Sequence, residues 1–267
     1  MVLFKSVQEH NTVLKSPREI AAMRETARRL KRLMQDLVAH ARPGVTGKDL
    51  DNLAGQKCRE YDLVSGAYGY GHSANRFPGF ICVSINDVVV HGIPGPQRLR
   101  EGDIVSMDVA VSHKGYFADN CITIPIGEIS EEKRRLLEVC RDALFAGIAQ
   151  ARAGNRLTDI SHAIQVHTEA HGMNVVRDFV GHGIGRAMHE PPQVPHWGPP
   201  GRGPLLRPGM VICIEPQITL GSPQVEFLPD GWTAVTVDGS LSAHFEHMVA
   251  ISVNGPDILT DWGLEDR

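Results

Sequence analysis

Cysteine is scarce and unpaired in this chain of 267 residues: Cys58, Cys82, Cys121, Cys140 and Cys213 are odd in number and form no CxxC pair. A disulfide framework is therefore not expected, and buried thiols are the default. No apolar run approaches the length of a membrane-spanning helix, and Met1 to His10 lack the continuous apolar stretch of a secretory signal, so the chain reads as cytoplasmic. Charge of one sign is not in excess. Lys and Arg number 27 against 31 Asp and Glu, and the net charge of −4 gives no global pull toward nucleic acid or anionic membrane. An HExxH helix is absent, and the glycines of Gly181-His182-Gly183-Ile184-Gly185 do not match a dinucleotide fingerprint.

What is present suits a globular enzyme. With 42% hydrophobic residues the chain can bury a substantial core, and it can do so as one domain. Ser16-Pro17-Arg18-Glu19 is a capping box with proline in the first helical position, so a helix opens there. Its apolar positions Ile20, Met23, Ala27, Leu30, Met34 and Leu37 step by three and four until Pro43-Gly44 ends it. A second helix is expected from Thr46 toward Tyr61. Strands are expected at 81–85, 88–90, 103–111 and 121–126 after a glycine-rich and aromatic loop. Ser130 is then expected to cap a third helix and Thr158 a fourth, with strands following at 210–215, 225–228, 232–237 and 244–253. Arg24, Arg28, Arg29, Lys31 and Arg32 lie largely off the apolar stripe of the first helix, which favours a solvated face over a ribosome-facing patch. The proline-rich segment from Glu190 to Pro208 reads as a rigid surface loop.

Asp108 stands in a strand whose two faces are both largely apolar: Val105, Met107, Val109 and Val111 on one, Ile104, Ser106 and Ala110 beside it on the other. A buried carboxylate needs a partner, because an unpaired buried charge costs several kcal/mol. Glu215 poses the same question at the end of Met210-Val211-Ile212-Cys213-Ile214, and no lysine or arginine nearby in sequence answers it. Four carboxylates, Asp108, Asp119, Glu215 and Glu246, with the imidazole of His182 could hold two divalent cations. A water between such ions can give up its proton near neutral pH and act as a nucleophile. This oxygen-rich set suits manganese, iron(II), cobalt or catalytic zinc.

In their order and surrounding words, these five residues resemble methionine aminopeptidases of the compact type I kind, members of the M24 family. The words are Gly102 to Asp108, Phe117-Ala118-Asp119, Gly181 to Gly185, Ile214-Glu215-Pro216 and Ser242 to His247, joined by Val90-His91-Gly92 and Met188-His189-Glu190. The resemblance runs from Ser16 to Ser252. It implies an α+β pita-bread fold: a curved, mostly antiparallel sheet in two pseudo-symmetric halves, helices on the outer face, with residues 1–15 an extension and 16–267 one catalytic domain. It further implies that Asp119 and Glu246 bridge the ions, Asp108 serves one, and His182 with Glu215 the other. His91, His189 and Glu215 would be catalytic. Phe77, Cys82, Trp232 and Met188 join His91 and His189 in binding substrate, and Asn86, Val88 and Ser242 match positions that can hold a monovalent cation.

The implied activity is metal-dependent removal of N-terminal methionine ahead of a small second residue, performed by a monomer on nascent chains. The sequence departs from the family pattern at Tyr70 to Arg76, which replaces a customary tyrosine-bearing loop, and at Met188, where an aromatic is common. An Xaa-Pro peptidase shares the implied fold but usually carries a large extra N-terminal domain. A metal-free binding protein of that fold should have lost ligands, and all five are present.

Overall fold

The structure, a computed structural model, describes residues 12–72 and 75–261. Residues 1–11 of the expected extension, residues 73 and 74 of the departing loop, and residues 262–267 lie outside that range. The first half comprises α1 (Pro17–His40), α2 (Gly47–Glu60), β1 (Val64–Ser65), β2 (Gly71–His72), β3 (Asn75–Arg76), β4 (Cys82–Ile85), β5 (Val88–Val90), β6 (Ile104–His113) and β7 (Tyr116–Pro125). The second half follows with α3 (Glu131–Gln150), α4 (Leu157–Ala170), β8 (Asn174–Val175), β9 (Gly181–Gly183), β10 (Glu190–Val194), β11 (Val211–Ile214) and β12 (Gln217–Thr219). It ends with β13 (Val225–Phe227), β14 (Ala234–Thr236), β15 (Ser242–His244), β16 (His247–Ser252) and β17 (Gly255–Ile258).

Each half thus begins with two helices and continues as strands. Both α1 and α2 start with the reciprocal bonding of a capping box, Ser16 with Glu19 and Thr46 with Asp49. The apolar stripe of α1 buries Met23, Ala27, Leu30, Leu33, Met34 and Leu37 completely or nearly so, each Leu or Met contributing about 1.5–3 kcal/mol of transfer free energy. Its basic face is laced with ion pairs: Arg24 meets Asp257, Arg28 and Arg29 meet Glu25, and the Arg32 guanidinium lies over the Tyr61 ring. This is the solvated face the pattern suggests. The main apolar core draws on residues from Met23 through Leu259, and a smaller cluster of Val89, Val90, Val176 and Ala234 stands apart from it.

Every described strand pair is antiparallel. In the first half β6 pairs with β1 and β4 on one edge and β7 on the other; the second half forms sheets ordered β10-β9-β11-β16-β17 and β15-β12-β8. The strand β5 leaves its own half to pair with β14. A bridge between Cys121 and Glu246 joins the halves where β7 passes β16.

Four expectations are corrected. The strand expected at 121–126 starts five residues earlier, because Lys114 and Gly115, both with positive φ, close a two-residue hairpin turn of the kind that matches strand twist. Thr158 does not cap α4. Arg156 takes the extended cap conformation, its N–H donating to Asp159 at 2.7 Å, while the Thr158 hydroxyl bonds the Arg202 carbonyl. The proline-rich loop opens with a strand: β10 is an edge strand whose register shifts at Pro191-Pro192, the position where a sheet tolerates residues without a donor. Finally, the strand expected at 244–253 is two strands, β15 and β16, interrupted at Phe245-Glu246.

Gly181 ties this scaffold to function, since a Cβ there would run into the Cys213 carbonyl of the neighbouring backbone. Gly181→Ala should therefore cost about 1–3 kcal/mol through forced displacement of β9. Urea unfolding checks this, and an unchanged midpoint would show that the strands have room to part.

Candidate metal centre and active site

The β6–β7 hairpin sets the first pair of candidate ligands. Asp108 faces Cys121 across the ladder and Ala110 faces Asp119, so the two aspartates are diagonal neighbours on one face. A slip of one residue would send both to the other face, and the two-residue turn forbids it. The second pair comes from a double interruption. Strand β11 pairs with β16 up to Ile214 and His247, and pairing resumes between β12 and β15 at Gln217 and His244. Glu215-Pro216 and Phe245-Glu246 occupy the gap, which frees two carboxylates from the alternation of an unbroken strand.

His182 arrives on β9. Its Nδ1–H donates to the Gly183 carbonyl at 2.9 Å; a carbonyl can only accept, so the proton is on Nδ1 and the lone pair of Nε2 is free. That Nε2 lies 3.5 Å from Glu215 Oε1 and 3.9 Å from Asp119 Oδ2. Ligand atoms of Asp119, His182, Glu246 and Cys213 all lie within 4.8 Å of one another.

Burial and mutual repulsion dominate the electrostatics. Desolvation lifts the Asp108 carboxyl from 3.8 to about 7. Asp119, Glu215 and Glu246 are pushed well above the usual carboxylate range, first by burial and then by one another and Asp108. Burial holds His182 down to about 4, reinforced by His189, so it is a neutral donor of its lone pair. Asp119 Oδ1 and Glu246 Oε1 are buried with no hydrogen-bond partner among the described residues. Unpartnered carboxylate oxygens beside a neutral imidazole fit divalent cations, which supply the missing positive charge. Cys213 is the unexpected neighbour. Burial, then the Glu246 charge, raises its thiol well above the usual thiol range, so it stands in the cluster as a thiol rather than a thiolate.

These groups line a cavity of about 910 Å³ together with His91, His189, Phe77, Cys82, Met188 and Trp232, so every ligand and pocket candidate is gathered in one place. Phe77 meets Trp232 edge-on at 5.4 Å, and His91 meets Phe179 at 5.5 Å. Burial, with His189 nearby, lowers His91 to about 4. Asn86, Val88 and Ser242 lie apart from the cavity lining. There the Ser242 N–H donates to the Asn86 carbonyl, and the Asn86 side-chain oxygen accepts from Ile104 N–H and the Lys133 ammonium. The Ser242 hydroxyl is left buried without a partner among the described residues.

Several residues of this site were not anticipated. Tyr70, the first residue of the departing loop, lines the cavity with its hydroxyl 2.8 Å from His189 Nδ1. The short β2–β3 pairing lies beyond Tyr70, which is held beside Phe77 by bonds between Phe77 N–H and the Tyr70 carbonyl and between Gly69 N–H and the Phe77 carbonyl. Gln217 donates to the Glu215 carboxylate at 3.3 Å, and His244 Nε2 lies 3.8 Å from it. Lys15 and Glu190 form a 2.7 Å ion pair that is almost fully buried, with Glu190 also accepting from the N–H groups of Arg186 and Ala187. Separation in sequence hides the contacts of Tyr70, His244 and Lys15; Gln217, two residues after Glu215, and Glu190, next to His189, carried a local signal.

A family model for metallopeptidase family M24 matches residues 21–252. Methionine aminopeptidase 1 of Bacillus subtilis is 46% identical over 93% of this chain and 98% of its own length. The chain belongs to the methionine aminopeptidases of family M24. A crystal structure of methionine aminopeptidase from Rickettsia prowazekii superposes with a TM-score of 0.91 at 35% identity, covering 94% of this chain and all of that one. A prolidase from Pyrococcus furiosus reaches 0.74 at 19% identity, with only 66% of that longer chain covered, which shows the shared fold alone. Fold and family therefore agree: this is a pita-bread metallopeptidase, a hydrolase that binds divalent metal.

The carboxylate shifts fix a pH dependence. A folded pKa raised from 3.8 to about 7 means that the metal-free native state holds protons the unfolded chain has released, so its stability falls as pH rises from about 4 through 7. Metal loading must displace those protons. Calorimetric titration with zinc near pH 6.5 should give heats that depend on buffer ionisation enthalpy and an affinity that rises with pH; buffer-independent heats would contradict the protonated cluster.

Proposed function

We propose that this protein removes the N-terminal methionine from nascent chains and peptides, preferring a small second residue. The observation that carries the proposal is the joining of a carboxylate and imidazole cluster to a sulfur- and aromatic-lined slot in one cavity. Residues 16–267 act as one catalytic domain, as a cytoplasmic monomer whose encounters with the ribosome are transient. Asp119 and Glu246 would hold two divalent ions in common, Asp108 would serve one, and His182 with Glu215 the other; cobalt, manganese, iron(II) and zinc all suit the donors. When bound, such ions lower the pKa of water and accept the free α-amine of a substrate, which restricts cleavage to the first peptide bond.

The protein groups divide the remaining work. His189 donates to the substrate carbonyl oxygen as negative charge develops there, a contact stronger in the transition state than in the ground state. Glu215, a carboxylate of the same cluster, takes the proton that water gives up and carries it to the leaving amine. His91 holds the nitrogen side of the scissile bond. Phe77, Cys82, Trp232 and Met188 enclose the first side chain, and a flexible thioether suits such a lining.

Peptides beginning Met-Ala, Met-Gly or Met-Ser should be cleaved and those beginning Met-Leu or Met-Lys should resist. Leu in first place should lose about 1–3 kcal/mol in kcat/KM, the usual scale for misfit in an apolar slot. Release of free amino acids measured by chromatography checks both, and equal cleavage of Xaa-Pro peptides regardless of the first residue would overturn the assignment.

His189→Ala should leave metal content and folding intact but lower kcat by about 10² to 10³, roughly 2.7–4 kcal/mol of transition-state stabilisation. Metal stoichiometry measured beside kcat and KM checks this. Recovery of activity in excess metal would move His189 from donor to structural support.

A further inference from the structure

We propose that Tyr70 is a positioning residue that fixes the ring proton of His189 on Nε2, so that this nitrogen faces the cavity as a hydrogen-bond donor. The inference rests on the reading of His189 as the group that meets the substrate carbonyl. A neutral imidazole carries one N–H and one lone pair, and its partner decides which nitrogen bears which. Only the arrangement with N–H toward the carbonyl can stabilise a developing oxyanion; the other presents a lone pair and repels it.

Two adjacent histidines show the contrast. His182 and His189 pack edge to face with ring centroids 4.4 Å apart. The Nδ1 of His182 meets the Gly183 carbonyl, a pure acceptor, and must carry the proton, which leaves Nε2 free to bind metal. The Nδ1 of His189 meets the Tyr70 hydroxyl at 2.8 Å, and a phenol is a good donor to an imidazole lone pair. With Tyr70 donating, the His189 proton lies on Nε2, for which no protein partner exists among the described residues. One ring thus becomes an acceptor and its neighbour a donor, set by an opposite choice of partner.

Tyr70 is held for the task by its backbone. Its N–H donates to the Ala67 carbonyl and its carbonyl accepts from Phe77 N–H, both at 2.9 Å. Its ring meets His189 edge-on at 5.4 Å and lies 6.5 Å from Trp232, on the pocket wall. The residue is 44% exposed, so its hydroxyl is not needed to satisfy a buried core.

The test is Tyr70→Phe, which keeps the ring and removes the hydroxyl. Long-range proton–nitrogen correlation spectra of isotope-labelled histidine rings are recorded on the zinc-loaded enzyme, with the His189 signals assigned from His189→Ala. The parent should show His189 protonated at Nε2 with a hydrogen-bonded lone pair at Nδ1. In Tyr70→Phe the Nδ1 signal should move toward that of a free lone pair and the Nδ1–H form should gain population. Turnover with the best-supporting metal should fall about 10-fold or more while KM stays within about twofold, the scale on which partners of catalytic groups act. A parent ring protonated at Nδ1, an unchanged spectrum in the variant, or a changed spectrum with undiminished kcat would each overturn the proposal. Full activity in His189→Ala would instead sink the oxyanion role, and the spectra would still decide what Tyr70 does to the ring.

Discussion

Four carboxylates gathered in one cavity, Asp119 and Glu246 buried and Asp108 and Glu215 half-buried, repel one another, and this is the constraint on which the rest of the structure depends. Neither a lysine nor an arginine is paired with them among the described residues; the contacts they make with basic groups are to His182 and His244. Such a cluster is tolerable only if the carboxyls keep protons or cations replace them. The fold is thereby coupled to metal: the same desolvation that lifts Asp108 to about 7 makes the cluster a strong trap for divalent charge.

Holding the cluster requires a backbone that is regular in one place and broken in another. The β6–β7 hairpin places Asp108 and Asp119 by unbroken antiparallel register, with Thr123 extending the ladder toward the second half through bonds to the backbone of His244. The opposite pair needs the reverse device. Where β11 gives way to β12 and β15 to β16, both partners are interrupted together, so Glu215 and Glu246 leave the pleat without leaving the sheet. Bulges and interruptions of this kind re-aim side chains beside active sites.

Much of this was legible in the sequence because its signals are local. A capping box marked α1, and the alternation around Asp108 showed a carboxylate set in an apolar strand. The order of the acidic and histidine words identified the family. What could not be read depends on tertiary context. The interruption at Phe245-Glu246 is invisible in an apolar run that suits one long strand, and Arg156 caps α4 only because Asp159 reaches back to it. The strand at Pro191-Pro192 forms because that position is an edge. Tyr70 serves the site through His189, 119 positions away in the other half, and His244 reaches Glu215 only where the paired interruptions bring them together, so no local pattern marks either residue.

The Lys15–Glu190 ion pair carries a consequence for the way the enzyme comes into being. It spans 175 positions in sequence and anchors the backbone just before and after His189, through Arg186, Ala187 and Glu190. Closing so long a loop costs chain entropy that local helices do not, and contacts of this range tend to form late. During synthesis Lys15 leaves the ribosome long before its partner exists. The neighbourhood of His189 therefore acquires its final shape only after most of the chain has been made, and a growing fragment that already displays both aspartates of the hairpin is not yet a peptidase.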